Sequence, residues 1–107
     1  MIIRKKVKKS ELGKMGKHFE GYIKVVVDVE RGILAGGMDR HADEKKELLN
    51  NGSLQRNLWG GGLDLETKEI DYNSIINLRP NQDNPSRDIM SKEIRAEFGR
   101  IVKKLLL

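Results

Sequence analysis

The sequence has no cysteine, only two prolines, and few aromatic residues: one tryptophan, two tyrosines and two phenylalanines among 107 residues. The lack of cysteine excludes disulfides, thiolate metal sites and a cysteine nucleophile, and makes the cytoplasm the expected compartment. No apolar run reaches 18 residues, so neither a membrane-spanning segment nor membrane association is expected. With only two histidines, a multi-histidine zinc site is not expected, and no metal or cofactor is predicted.

Several catalytic and nucleotide-binding motifs are also missing. The glycine run Gly60–Gly62 lacks the spacing of a dinucleotide or phosphate-binding loop. Placed directly after Trp59, these glycines predict a kinked and sterically open strand. Neither Ser53 nor Ser86 lies in a G-x-S-x-G turn, so a serine nucleophile is not indicated.

The basic charge is concentrated at the start of the sequence. Residues 1–17 carry a net charge of +6, residues 18–78 carry −4 and residues 79–107 carry +3, which sum to the overall +5. A basic segment of this kind favours nucleic acid or an acidic protein as a partner. The alternative is a lysine-rich edge strand, and the scarcity of base-stacking aromatic residues favours that alternative. The basic residues concerned are Arg4, Lys5, Lys6, Lys8, Lys9, Lys14 and Lys17.

Hydrophobic periodicity predicts one α+β domain over residues 1–107, with elements in the order β-α-β-β-α-β-β-α. The first strand is expected over Met1–Lys9. The clearest strand is Tyr22–Val29, whose alternate residues are apolar, and Gly32 is placed to turn the chain into a second strand. The predicted sheet is mostly antiparallel, with the helices packed on one face.

Three helices are predicted. The first begins near Ser10, and the second runs from Glu44 to about Asn50 with Asp43 as its N-cap. The third runs from Ser91 to Leu107 and has the best amphipathic pattern. It ends in three leucines, which predict some exposed apolar surface and favour a homodimer.

The stretch from Asn77 to Arg87 is the densest group of hydrogen-bond donors in the sequence. It follows a strand-like run, Ser74–Leu78, and contains both prolines, which stiffen it. Because arginine grips phosphate or carboxylate through two parallel hydrogen bonds, we expect a binding module for a small anionic ligand. The alternative is a loop whose Asn and Ser side chains cap turns and whose arginines pair with nearby carboxylates. The predicted ligand-binding residues are Arg79, Asn81, Asn84, Ser86 and Arg87, with Trp59 either flooring the pocket or packing in the core.

A second hypothesis is a small hydrolase or lyase. His41 would be the general base, oriented by Asp43, with an arginine stabilising negative charge in the transition state. This requires His41 and the loop from Asn77 to Arg87 to meet in space. The alternative for His41 and Asp43 is a hydrogen bond at the entry to the second helix. Whether the protein is an enzyme is left open by the sequence.

Four short segments carry a resemblance to a known family. They are His41-Ala-Asp-Glu44, Gly52-Ser-x-Gln-x-x-Leu-Trp-Gly60, Ile76-Asn-Leu-Arg-Pro80 and Asn84-x-Ser-Arg87. In this order they resemble a family of small prokaryotic proteins catalogued as a domain of unknown function, over nearly the whole chain. The resemblance implies a compact α+β fold and carries no activity with it. The sequence departs from the family pattern at Gly61–Gly62, where larger strand residues are expected.

Overall fold

The computed structural model describes all 107 residues and contains a five-stranded antiparallel sheet and three α-helices. The strands are β1 (Ile2–Ile3), β2 (Tyr22–Asp28), β3 (Ile33–Gly36), β4 (Leu58–Asp64) and β5 (Ile70–Asp71), and the helices are α1 (Lys9–Met15), α2 (His41–Asn50) and α3 (Lys92–Leu106). Short 3-10 turns occupy Gln55–Asn57, Ile75–Asn77 and Pro80–Gln82. The α+β class, the order of elements and the antiparallel sheet are confirmed.

Strand β2 lies at the centre of the sheet, whose order is β1-β3-β2-β4-β5. Val26 of β2 is paired with Ala35 on one side and with Gly60 on the other. The β2–β3 hairpin turns at Gly32, which has the predicted positive φ, at 68°. The buried carboxylate of Asp28 fixes this turn, because its Oδ1 accepts hydrogen bonds from two successive backbone N–H groups.

The helices cover both faces of the sheet, which corrects the expectation that they all pack on one face. Val25 and Val27 point into the larger apolar cluster, which contains Phe98 of α3. Val26 points to the opposite face and packs in a smaller cluster with Leu48 of α2. Because three successive valines make β2 apolar on both sides, each face needs a helix to keep it from water.

Helix α3 follows its predicted amphipathic pattern. Ser91 is the N-cap, and its Oγ accepts a hydrogen bond from the N–H of Ile94 at 3.2 Å. Leu105 and Leu106 are each only 2% exposed, and Leu107 is partly buried, so the leucine run leaves less apolar surface than expected. The homodimer stays a prediction. No helix of the structure combines the length and the apolar character that crossing a membrane requires.

Three local expectations are corrected. Helix α2 begins at His41 and not at Glu44. The Asp43 carboxylate accepts hydrogen bonds from Arg40 and does not cap the helix. Strand β1 is only two residues long, and further along the predicted strand the backbone N–H of Val7 donates to the carbonyl of Leu105 in α3. The run Ser74–Leu78 contains a 3-10 turn in place of a strand.

Candidate functional site

Two buried asparagines hold the loop from Asn77 to Arg87 in shape. The Asn77 side chain is fully buried. Its Oδ1 accepts from the Gly60 N–H, and its Nδ2 lies within hydrogen-bond distance of the carbonyls of Gly60, Tyr72 and Arg87, which share its two hydrogens. The Asn84 Nδ2 lies within hydrogen-bond distance of the carbonyls of Asn77, Ser86 and Asp88, which share its two hydrogens, and its Oδ1 accepts from the N–H of Met90. These amide groups face inward, so they stabilise the loop and are already used as donors.

Arg79 and Trp59 lie in direct contact, in the interior of the protein. The guanidinium carbon of Arg79 is 3.9 Å from the centroid of the Trp59 ring. Nη1 of Arg79 donates to the carbonyl of Gln55 at 2.8 Å, and Nη2 donates to the carbonyl of Leu58. Trp59 belongs to the larger apolar cluster and is 2% exposed, which confirms its place in the core.

Arg79 has no carboxylate partner, contrary to the alternative in which the loop arginines pair with acids. The residue is 7% exposed, its Nε has no hydrogen-bond partner, and burial lowers the pKa of its guanidinium. Arg87, by contrast, is exposed to solvent. The two arginines therefore do not present a joint pair of donors to one ligand.

Two other residues of the predicted site, Asn81 and Ser86, differ in their surroundings. Asn81 is exposed, and the Oγ of Ser86 accepts a hydrogen bond from the N–H of Asp88 at 3.0 Å. Ligand binding by this loop stays a prediction. In the structure its polar side chains act chiefly as turn caps and internal braces.

His41 is not oriented by Asp43. Its Nε2 lies 2.7 Å from the carbonyl oxygen of Gly61, and because a carbonyl only accepts, this nitrogen carries the proton. Burial lowers the pKa of His41, which keeps the ring neutral near pH 7. The Asp43 carboxylate takes a pair of hydrogen bonds from Arg40, each 3.1 Å long. The proposed acid–base pair is therefore not assembled in this structure.

The glycines of β4 are covered by other side chains and leave no open pocket. A Cβ on Gly60 would lie 2.7 Å from the Cβ of Ser74, and one on Gly61 would lie 2.7 Å from the Phe98 ring. Gly62 is covered by the ring of Tyr22. The predicted open strand is thus filled, and the glycines explain why these larger groups can lie directly on the sheet.

Several polar and titratable groups lie on the face of the sheet that α2 covers. The hydroxyl of Tyr22 donates a short hydrogen bond to Asp71, and burial together with Asp71 raises the pKa of Tyr22. Glu44 of α2 is fully buried, and desolvation raises the pKa of its carboxyl to about 9. No three His, Asp or Glu side chains come together as metal ligands. These groups are packed against the protein and line no cavity.

The structure contains one cavity, with a volume of about 580 Å³. It lies where the segment between β1 and α1 meets the end of α3 and the turn between β4 and β5. The backbone N–H of Val7 donates to the carbonyl of Leu105 at 3.0 Å and so fixes the segment against the helix. The cavity, called the lysine cavity below, is lined by Lys6, Val7, Lys9, Leu12, Lys68, Leu106 and Leu107.

The lining of the lysine cavity combines an apolar floor with exposed cationic groups. Leu106 is buried, and the other three apolar side chains are partly buried, whereas Lys6, Lys9 and Lys68 are all exposed. No acidic side chain lines the cavity. The basic N-terminal segment supplies two of the lysines. No sequence signal pointed to Lys68, since only the fold of the β4–β5 turn brings it to the same place.

The chain is thus a small α+β protein built on a five-stranded antiparallel sheet. Residues 1–105 match the family described as "Protein of unknown function (DUF5674)", and the chain belongs to that family. This confirms the resemblance carried by the four short segments. Neither the curated proteins nor the solved structures contain a match to the chain.

Proposed function

We propose that the protein is a small binding module for an anionic ligand, which it holds in the lysine cavity. The observation that supports this is the presence of three lysine side chains around an apolar floor, with no acidic side chain in the lining. The four ion pairs of the structure are Met1–Glu47, His18–Asp39, Arg40–Asp43 and Arg100–Glu97, and none includes a cavity lysine.

Electrostatics gives such a cavity a preference for anions. Three ammonium groups around one concavity repel each other, and a bound anion relieves that repulsion. The attraction is stronger beside an apolar wall than in open water, because the wall lowers the local dielectric constant. The volume of about 580 Å³ falls within the range of small-molecule sites, roughly 300–1,000 Å³.

The predicted class of function, a binding module for an anionic ligand, is kept, but we assign it to the lysine cavity in place of the Asn77–Arg87 loop. The asparagine amides of the Asn77–Arg87 loop and the guanidinium of Arg79 already bind main-chain groups, so the loop has fewer donors to offer. Binding of nucleic acid or an acidic protein by the basic segment stays a prediction, and single-stranded RNA is a competitor in the test below. We also propose a cytoplasmic location, which the absence of cysteine supports.

The proposal is tested with 8-anilinonaphthalene-1-sulfonate, a fluorescent anion with an apolar body. We expect one dye molecule to bind per folded chain, with an affinity that falls as sodium chloride is raised. The triple variant Lys6→Gln, Lys9→Gln, Lys68→Gln should bind the dye at least about tenfold more weakly, given about 0.5 kcal/mol or more for each lost charge contact.

A matched triple variant controls for net charge. Lys17→Gln, Lys46→Gln and Lys92→Gln remove the same charge from exposed positions outside the cavity lining. This control should bind the dye as the unmodified protein does, and circular dichroism should show that both variants are folded. Equal dye affinity in the two triple variants would rule the proposal out. Complete displacement of the dye by single-stranded RNA, from the cavity variant as well as from the unmodified protein, would also rule it out.

A further inference from the structure

We infer that the ligand of the lysine cavity is a single-chain aliphatic carboxylate, the anion of a free fatty acid. The inference rests on the proposed function and adds the chemical class of the ligand. It follows from three properties of the cavity: its apolar floor, its size and the kind of cation at its edge.

The apolar floor of the cavity favours a ligand with an aliphatic chain. Four of the seven lining side chains are aliphatic and none is aromatic, so the floor offers no ring on which a base or another flat group would stack. The lysine stems add further methylene surface, because lysine lays its alkyl chain along apolar groups and keeps its ammonium in water. A saturated chain in this cavity would remove apolar surface from water on both partners.

The size selects for one chain. A methylene group is about as large as a water molecule, which occupies about 30 Å³ of the liquid. A cavity of about 580 Å³ that is open to solvent on one side therefore accommodates at most one aliphatic chain with its carboxylate, and only part of that chain lies against the apolar floor.

The cations select for a compact anionic end group. An ammonium acts as a rotatable point charge, whereas arginine offers a planar fork that suits bidentate binding of phosphate or carboxylate. The cations of the cavity are all lysines, Lys6 before α1, Lys9 in the first turn of α1 and Lys68 in the β4–β5 turn. Such groups can follow the carboxylate of a chain whose depth in the cavity varies with its length.

A chain-length series tests the inference. Sodium butyrate, hexanoate, octanoate, decanoate and dodecanoate, each below its critical micelle concentration, are used to displace the bound dye. We expect the affinity to rise about fourfold for each added methylene, which corresponds to about 0.8 kcal/mol, and to level off near the length that fills the cavity. Dodecyltrimethylammonium, which has the same chain and the opposite charge, should not compete.

The outcomes separate this inference from the proposed function. If all carboxylates compete equally while the lysine variants still weaken dye binding, the anion site stands and the fatty-acid inference is wrong. Competition by dodecyltrimethylammonium as strong as that by dodecanoate would also overturn it. So would cosedimentation of the protein with phosphatidylglycerol vesicles at an affinity matching that for dodecanoate, because the occupant would then be a membrane surface.

Two floor variants give an independent readout. Leu12→Gln changes a half-buried floor residue, and Leu54→Gln changes a residue that is 50% exposed and outside the cavity. We expect Leu12→Gln to weaken dodecanoate about tenfold and to leave butyrate unchanged, with no effect from Leu54→Gln. Equal loss of both carboxylates in folded Leu12→Gln would contradict a role in chain binding. Should that variant not fold, the chain-length series on the unmodified protein decides the question.

Discussion

The side chain of Asn77 pairs with the backbone of Gly60 as though it were a residue of a neighbouring strand. Its Oδ1 accepts from the Gly60 N–H at 2.8 Å, and its Nδ2 donates to the Gly60 carbonyl at 2.9 Å. Strand β5 pairs with β4 only as far as Gly62, opposite Asp71. Gly60 and Gly62 present their N–H and carbonyl to the same edge of β4, since they are two residues apart. The carboxamide of Asn77 therefore extends the pairing of β4 beyond the end of β5.

Replacement of Asn77 by alanine should destabilise the protein strongly. The change removes the hydrogen bonds of both amide atoms and leaves the buried N–H and carbonyl of Gly60 in β4 without these partners. We expect the free energy of unfolding in urea to fall by about 3–4 kcal/mol, because each unsatisfied buried group costs about 1–3 kcal/mol. Asn81→Ala, at an exposed position of the same loop, should change it by less than about 0.5 kcal/mol. Similar effects of the two substitutions would refute the bracing role of Asn77.

Alanine at Gly61 should also destabilise the fold, because the added methyl has no space. Its Cβ would collide with the backbone carbonyl of Asp71 and lie 2.7 Å from the Phe98 ring. We expect a loss of about 3 kcal/mol and a fall of the melting temperature by roughly 15 °C. The matched change Gly13→Ala, in α1, meets no atom within 4 Å and should stabilise by up to about 1 kcal/mol. Calorimetry of both variants measures the contrast, and a neutral Gly61→Ala would show that β4 can move.

Lysine at position 79 should be a poor substitute for arginine. Arg79 bridges two main-chain carbonyls with its fork and places its guanidinium carbon 3.9 Å from the centroid of the Trp59 ring, and an ammonium cannot do all of this at once. We expect Arg79→Lys to lower the free energy of unfolding by about 2–3 kcal/mol and to alter the fluorescence of the single tryptophan. Arg87→Lys, at an exposed position, should leave both unchanged. If the two lysine variants are equally stable, Arg79 is not the structural brace described here.

Periodicity was a reliable guide where a pattern is repeated along a strand or helix. The alternation in β2 and the i, i+4, i+7 pattern of α3 predicted their existence, order and buried faces, because burial of apolar side chains dominates the energy of both. The expectation of helices on one face was wrong, and the valines of β2 contradict it. Val26 lies between Val25 and Val27, and a strand that is apolar on both faces must be covered on both.

The site was harder to predict, because its residues are brought together by contacts that are distant in sequence. Asn77 and Gly60 are 17 positions apart, and nothing in their neighbours shows that a side chain will serve as a strand. The sequence predicted that the guanidinium of Arg79 would bind a ligand, because nothing in the amino-acid sequence indicates which main-chain carbonyls it contacts. Lys6 and Lys68 reach one cavity only through the placement of the N-terminal segment beside the β4–β5 turn.

Glu44 should give the protein a distinct dependence of stability on pH. Its carboxyl is fully buried, its Oε2 accepts from the Met38 N–H at 3.2 Å, and its Oε1 has no partner. Desolvation raises its pKa to about 9; the Met38 N–H, the N-terminal ammonium and Lys24 oppose this, while Glu47 adds to it. The folded state therefore keeps a proton that the unfolded state loses above its ordinary pKa of 4.5.

The sign of the effect follows from this extra proton. Since the folded state binds more protons between about pH 5 and pH 9, the contribution of Glu44 to stability is lost progressively as the pH rises through that window. Glu44→Gln, which cannot ionise, should gain stability over the unmodified protein by about 1.4 kcal/mol for each pH unit in this range. Urea unfolding at intervals from pH 5.5 to about pH 8.5 measures the difference, with Glu30→Gln as the exposed control that should show a constant offset. Parallel curves for Glu44→Gln and the unmodified protein would mean that Glu44 is ionised in the folded state, and the uncompensated burial described here would then be wrong.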